Sequence, residues 1–220
     1  MRKIRLSSAV SRRVPFLMFV LCLMATPAMA QDDVDDQRGW SVGARGIFVT
    51  FSEASLDTTA GVSGVAAFRF TPSFDIELEA GYIRPNSQGD VLAAGTLSLM
   101  PVRGTLRYVP WRIGNALPYI GGGAGFYIAS FSVDTATVDR LAALGFAVSQ
   151  DVDSAFGAHV GGGLEWQTGR WVIGLDVKYV ISKATASATV NDLVTGIVID
   201  DPAEIDLNGL WIAAGFRINF

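Results

Sequence analysis

The stretch Phe74-Asp75-Ile76-Glu77-Leu78-Glu79-Ala80-Gly81-Tyr82 decides the fold. Phe74, Ile76, Leu78, Ala80 and Tyr82 fall on one parity, and the three carboxylates fall on the other. A strand sends alternate side chains to opposite faces, so this is an amphipathic strand. A helix would spread the three carboxylates around its circumference.

The same test finds more strands. Met100, Val102, Leu106 and Tyr108 oppose Arg103 and Arg107. Phe156, Ala158, Val160, Leu164 and Trp166 oppose His159 and Glu165. Trp171 through Ile181 at odd positions oppose Asp176 and Lys178. Phe68 and Phe70 oppose Arg69, and Phe216, Ile218 and Phe220 oppose Arg217. Eight strands are read, at about 40–51, 62–70, 74–83, 96–109, 118–131, 154–167, 171–182 and 207–220. Alternation alone also fits a soluble sandwich. The connections favour another answer. Those after strands two, four and six are short, whereas 52–61, 84–95, 132–153 and 183–206 are long. Short turns at one end and long loops at the other mark an outer-membrane barrel.

Composition agrees. The 220 residues are 50% hydrophobic and 17% charged, and mean hydropathy is +0.36. That excludes a disordered chain, and one cysteine excludes a disulfide scaffold. A net charge of −4 excludes a basic nucleic-acid binder. Yet no uncharged run after the first thirty residues suits a membrane helix. The longest, Ile113–Val133, holds Pro118 and glycines 114, 121, 122, 123 and 125. An apolar chain without spanning helices enters a membrane only as a closed sheet. The expected fold is therefore all-β, an eight-stranded antiparallel up-and-down transmembrane β-barrel.

Residues 1–30 read as a cleaved signal peptide. A basic start (Arg2, Lys3, Arg5, Arg12, Arg13) precedes the apolar run Val14–Ala25 and the small-x-small site Ala28-Met29-Ala30. Cys22 leaves with it, and the remaining chain carries 12 basic against 21 acidic residues. Residues 31–39, with Asp32, Asp33, Asp35 and Asp36, read as a flexible acidic periplasmic segment ahead of a barrel over 40–220. Localisation follows as the outer membrane of a Gram-negative bacterium.

The inward parity carries Arg45, Arg69, Asp75, Glu77, Glu79, Arg103, Arg107, His159, Glu165, Asp176, Lys178 and Arg217. Mixed signs in a narrow interior are expected to pair into a rigid plug more readily than to line an ion path. Ile47, Val49, Ile83, Ile128 and Val172 are candidates for a hydrophobic lumen patch near the outer mouth. Aromatics near strand ends, among them Trp40, Phe51, Phe70, Phe74, Tyr82, Tyr108, Tyr119, Phe131, Trp166 and Trp171, are expected to form two interfacial girdles. Residues 138–147 could form a short amphipathic helix over the mouth.

No catalytic, metal or cofactor site is expected. The mature chain has one histidine and no cysteine, and Gly161 stands two residues after His159, where a lipid-deacylating barrel would carry serine. Gly121–Gly125 lacks the Gly-Lys-Ser/Thr ending of a phosphate loop.

The segments Leu117–Phe131 and Asp153–Val180 resemble the OmpW family of small outer-membrane barrels. The resemblance rests on Pro118, Tyr119, Gly121 and Gly123, on Phe156, Gly157, Gly163 and Trp166, and on Trp171, Lys178 and Tyr179. Residues 101–109 resemble the preceding family strand, and the last strand departs at Leu207–Trp211. The resemblance implies an eight-stranded barrel that moves small hydrophobic molecules inward through a narrow lumen with lateral release. The alternative is a non-conducting structural or surface-interaction barrel that touches lipopolysaccharide or other cells through 132–153 and 183–206. Expected partners are outer-membrane lipids and lipopolysaccharide, a small hydrophobic ligand, and the barrel assembly machinery, which would read Phe216, Ile218 and Phe220. No nucleic-acid partner is expected, and the barrel is expected to be a monomer.

Overall fold

The computed structural model describes residues 39–53, 56–87, 95–192 and 198–220. The expected signal peptide and most of the acidic segment lie outside them. Among the described residues eleven strands and one helix form, in the order β1 (Gly39–Phe51), β2 (Thr59–Thr71), β3 (Phe74–Ile83), β4 (Asn86–Ser87), β5 (Gly95–Tyr108), β6 (Ala116–Val133), α1 (Thr135–Ala143), β7 (Phe146–Val152), β8 (Ala155–Thr168), β9 (Trp171–Asp192), β10 (Val198–Asp206) and β11 (Gly209–Asn219).

Eight of these strands close a ring. β1 pairs with β2, then β3, β5, β6, β8, β9 and β11 follow, and β11 returns to β1 from Ser41↔Asn219 to Phe51↔Gly209. Every pairing is antiparallel. Closure removes the free edge that hydrocarbon would leave without partners. The three short turns sit at one end. Pro72-Ser73 joins β2 to β3, residues 109–115 join β5 to β6, and Gly169-Arg170 joins β8 to β9. Gly114 and Gly169 have φ of +59° and +57°, which a side chain would strain.

The outer surface is apolar. Ile76, Leu78, Leu106, Ile120, Phe156, Val160, Leu164, Ile173 and Leu175 are exposed on it. Aromatics gather at the turn end: Trp40 packs on Phe68, Phe74 packs on Tyr108, and Trp171 packs on Phe216. Phe51 and Tyr119 do not belong to a girdle. Both are buried inside, because each has the inward parity of its strand, and Phe131 is partly buried against the interior.

The loop end departs from expectation. Residues 183–206 are not a plain loop. β9 runs on to Asp192, and β7 and β10 pair with its extension on either side. The result is a three-stranded sheet standing off the barrel rim. Ser, Ala and Thr dominate 182–190, so the alternation continues there without an apolar signal. The helix forms at Thr135–Ala143, with Asp134 at its N-cap position but no side-chain capping bond, and buries none of its residues.

A closed barrel keeps its hydrogen bonds in detergent until it is boiled. Unboiled protein is expected to migrate apart from boiled protein on a denaturing gel, and coincident bands would contradict closure.

Candidate functional site

The interior divides into a charged layer and an apolar layer. Side chains of opposite charge project inward from β1, β2, β3, β5, β8, β9 and β11, and they join into one network. Arg69 reaches Asp75 at 3.3 Å, and Arg107 donates to Asp75 at 2.9 Å and to Glu165 at 2.6 Å. Arg217 also pairs with Glu165. Arg45 grips Glu77 through two hydrogen bonds of 2.8 and 2.7 Å. Lys178 lies within 3.3 Å of Glu77, Glu79 and Asp176, and Arg103 pairs with Glu79 at 2.9 Å. Six cations therefore meet five carboxylates, and all but Arg69 are buried. His159 stands outside the ion pairs and shares a 2.8 Å hydrogen bond with Thr105.

Glycines make room for this layer. Arg45 faces Gly215, Arg103 faces Gly125, Arg107 faces Gly121 and Lys178 faces Gly161 across neighbouring strands. A Cβ on Gly215 would lie 2.7 Å from the Arg45 Cγ, and one on Gly161 would lie 2.9 Å from the Lys178 Cγ. Each long side chain thus lies flat across a position without a side chain. Gly121, Gly125 and Gly161, drawn from the two glycine runs, are seats for lumen charges.

Among the described residues the charged side chains fill the lumen at this level. A cavity beside Arg45, Glu165, Val172 and Arg217 measures about 10 Å³, roughly the least space that holds one water. The charged layer is a plug.

Toward the loop end the interior becomes apolar. Ile47, Val49, Phe51, Ile83, Leu97, Leu99, Tyr127, Val180, Ile205, Leu207 and Trp211 are buried there in one cluster. Three of the expected lumen residues, Ile47, Val49 and Ile83, belong to it. Two placements are corrected. Ile128 faces outward at 38% exposure, because β6 turns its odd positions inward and Tyr127 takes the lumen place. Val172 does face inward, but one residue after Trp171 it lies at the turn end, far from the outer mouth. Tyr127 and Trp211 were not singled out from the sequence, although parity could have found both. Arg103 lies 4.4 Å over the Trp211 ring, and Tyr127 meets that ring edge-on, so these three mark the boundary between the layers.

The wall has a weak place at this height. β3 pairs with β5 from Phe74↔Tyr108 to Ala80↔Val102 and again at Ile83↔Leu99. Between them, Gly81 and Tyr82 stand opposite Pro101 and Met100 without a ladder pair. Proline has no N–H to donate, and the ladder lapses at that residue. On its other side Pro101 still pairs with Tyr127.

At the last strand, Phe216 and Phe220 are exposed on the outer face and Ile218 is half-buried. The Phe220 amide donates to the Trp40 carbonyl.

A family model described as outer membrane protein beta-barrel domain matches residues 18–184. No curated protein matches the chain significantly. Among solved structures, OprG from Pseudomonas aeruginosa superposes with a TM-score of 0.67 at 16% identity, over 83% of this chain and 96% of that one. AlkL, solved in lipid bilayers, gives a TM-score of 0.59 at 15% identity, over 90% and 97%. Neisserial surface protein A gives 0.52 at 15% identity, over 83% and 97%. At such identities the likeness concerns the fold. OprG and AlkL are small barrels of the OmpW family, so the shared fold agrees with the resemblance carried by the β6, β8 and β9 residues.

Glu77 touches Arg45, Arg107, Lys178 and Arg217. Changing Glu77→Gln removes the charge these four share, and breaking a buried pair costs about 3–5 kcal/mol. The urea midpoint of the vesicle-inserted barrel is expected to fall accordingly. Glu204→Gln, on the exposed pair with Lys183, should leave it in place. Equal midpoints for wild type and Glu77→Gln would remove the network from the account of stability.

Proposed function

Because the chain belongs to the outer membrane protein β-barrel family and resides in the outer membrane of a Gram-negative bacterium, we propose that it passes small hydrophobic molecules inward and releases them sideways into the membrane. One observation carries this reading: the β3–β5 ladder lapses at Pro101, at the level where the apolar layer meets the charged plug.

The physical argument starts from partition. A hydrophobic molecule entering from the loop end meets Ile47, Val49, Leu97, Leu99 and Val180, surfaces as apolar as itself. Below them it meets Arg103 and the ion pairs. Passing through would separate buried charges and strand them, at a cost of several kcal/mol for each ion. The wall at Gly81–Tyr82 and Met100–Pro101 is the easier way, since fewer ladder pairs hold it there. Beyond it lies hydrocarbon, which the molecule prefers. The apolar layer is closed in this conformation, so passage requires its side chains to move apart.

The second reading is a non-conducting barrel whose outer sheet makes surface contacts. The sheet of β7, β9 and β10 beyond the rim favours it, since it enlarges the exposed surface without serving the lumen. The two readings separate on transport.

Across the seam, Tyr82 and Met100 occupy facing positions on the β3–β5 register. The mature chain has no cysteine of its own, so within one barrel Tyr82→Cys and Met100→Cys can pair only with each other. Cells carrying this double variant are expected to take up a lipophilic fluorophore at the wild-type rate when reduced, and at the empty-vector rate when oxidised. Uptake indifferent to the cross-link would eliminate lateral release. A wild type that matches the empty vector would leave the surface-contact reading in its place.

A further inference from the structure

The boundary between the charged and apolar layers carries a set of buried donors without acceptors. Among the described residues, Arg103 Nε and Nη1, the Trp211 indole Nε1 and the Tyr127 hydroxyl have no hydrogen-bond partner. None of the three residues is more than 2% exposed. They come from β5, β11 and β6 and meet at one place. Arg103 lies 4.4 Å over the Trp211 ring, and the Tyr127 ring centre stands 6.2 Å from that ring. The Tyr127 hydroxyl lies against the Arg103 guanidinium. A guanidinium only donates, so this contact leaves the phenol proton without an acceptor. An indole N–H also only donates. Native interiors seldom leave even one such donor unmade, because nothing then offsets its removal from water.

The charge balance points to the same place. The six cations of the charged layer exceed its five carboxylates by one. Arg103 has Glu79 as its one carboxylate, at 2.9 Å, and Glu79 is shared with Lys178 at 3.1 Å and with Arg45 at 3.8 Å. Lys178 and Arg45 have Glu77 and Asp176 besides, and Arg107 and Arg217 each reach both Glu77 and Glu165. Arg69 also has a single partner, but it is only partly buried and lies at the turn end. Among the buried cations the excess therefore falls on Arg103. Tyr127 and Trp211 belong to the apolar cluster, so the three residues form the floor of the apolar layer.

We propose that Arg103, Trp211 and Tyr127 receive the carboxylate head of a single-chain amphiphile whose hydrocarbon tail lies in the apolar layer. The assignment rests on the reading that ligands enter that layer from the loop end, and it names their chemical class. A carboxylate is planar and anionic. It matches the guanidinium fork, balances the excess charge, and keeps lone pairs for the indole N–H and the phenol O–H. The tail would lie against Ile47, Val49, Leu97 and Leu99. One chain is the most that an eight-stranded lumen admits, since side chains alone can fill it. A plain hydrocarbon would leave every one of these donors unmade. Tyr127 is the ladder partner of Pro101, so the head would be held beside the lapse in the β3–β5 wall.

The test is native mass spectrometry of the mature, detergent-solubilised barrel titrated with decanoate or with decanol, at a pH where the acid is ionised. Wild type is expected to bind one decanoate about tenfold more tightly than decanol, the effect of one hydrogen bond to a charged group. Tyr127→Phe with Trp211→Phe keeps two aromatic rings and removes both polar hydrogens, and should cut that ratio about fivefold. The alcohol corrects for any change in the space left to the tail. Tyr127→Phe alone serves if the double variant does not fold, with the heat-shifted gel band as the folding control, and should cut the ratio about twofold. Arg103 is left in place, because its loss would strand Glu79. Equal affinity of wild type for acid and alcohol, or a ratio that the folded variants leave unchanged, would overturn the proposal. Cellular uptake of a neutral lipophilic fluorophore tests the transport reading alone, since that probe brings no carboxylate. Its failure in wild type would end that reading, while the acid-to-alcohol ratio still decides whether the carboxylate site exists.

Discussion

Hydrocarbon offers a peptide group no partner, and the structure follows from that constraint. Each unpaired N–H or C=O in the bilayer costs several kcal/mol, so a chain without spanning helices must return its last strand to its first. β11 on β1 does this, with the Phe220 amide on the Trp40 carbonyl continuing the seam at the periplasmic rim. Once the ring is closed, parity has only one meaning. One set of side chains meets lipid and the other meets the lumen. An eight-stranded lumen is just wide enough for side chains to fill.

The contents of that lumen then decide what the barrel can do. Charges sent inward lose their water, so they must pair, and the network from Arg69 to Arg103 pairs them. Long cationic side chains need floor space in a narrow tube, which the facing glycines at 121, 125, 161 and 215 supply. The same packing that stabilises the charges closes the axis. Above the plug the interior is apolar, and its lower boundary of Tyr127 and Trp211 stands level with the proline that interrupts the wall. Under the proposed function, charge pairing and the lapse at Pro101 would direct a hydrophobic molecule the same way, outward through the side.

Much of this was legible in the sequence because parity is a local property. Asp75, Glu77 and Glu79 announce their face without reference to any other strand, and the eight barrel strands lie within about three residues of their expected bounds except where β9 runs on to Asp192. What parity cannot supply is height along the barrel, which depends on how strands are staggered against one another. Val172 was therefore assigned to the wrong end. Ile128 was a different failure, since its neighbour Tyr127 already had the inward parity of β6. The sheet of β7, β9 and β10 is not legible in the sequence, because small and hydroxylated residues alternate there without an apolar stripe. The glycine seats and the pairing lapse at Pro101 are properties of two strands at once, and a single strand read alone does not reveal them.

The central claim is that the axis is shut by paired charges. Current through single wild-type barrels in a planar bilayer addresses it most directly. The account predicts a baseline without stable steps at any salt concentration. Steady ohmic steps that grow in proportion to salt would mean that water and ions thread the charged layer, and would contradict it.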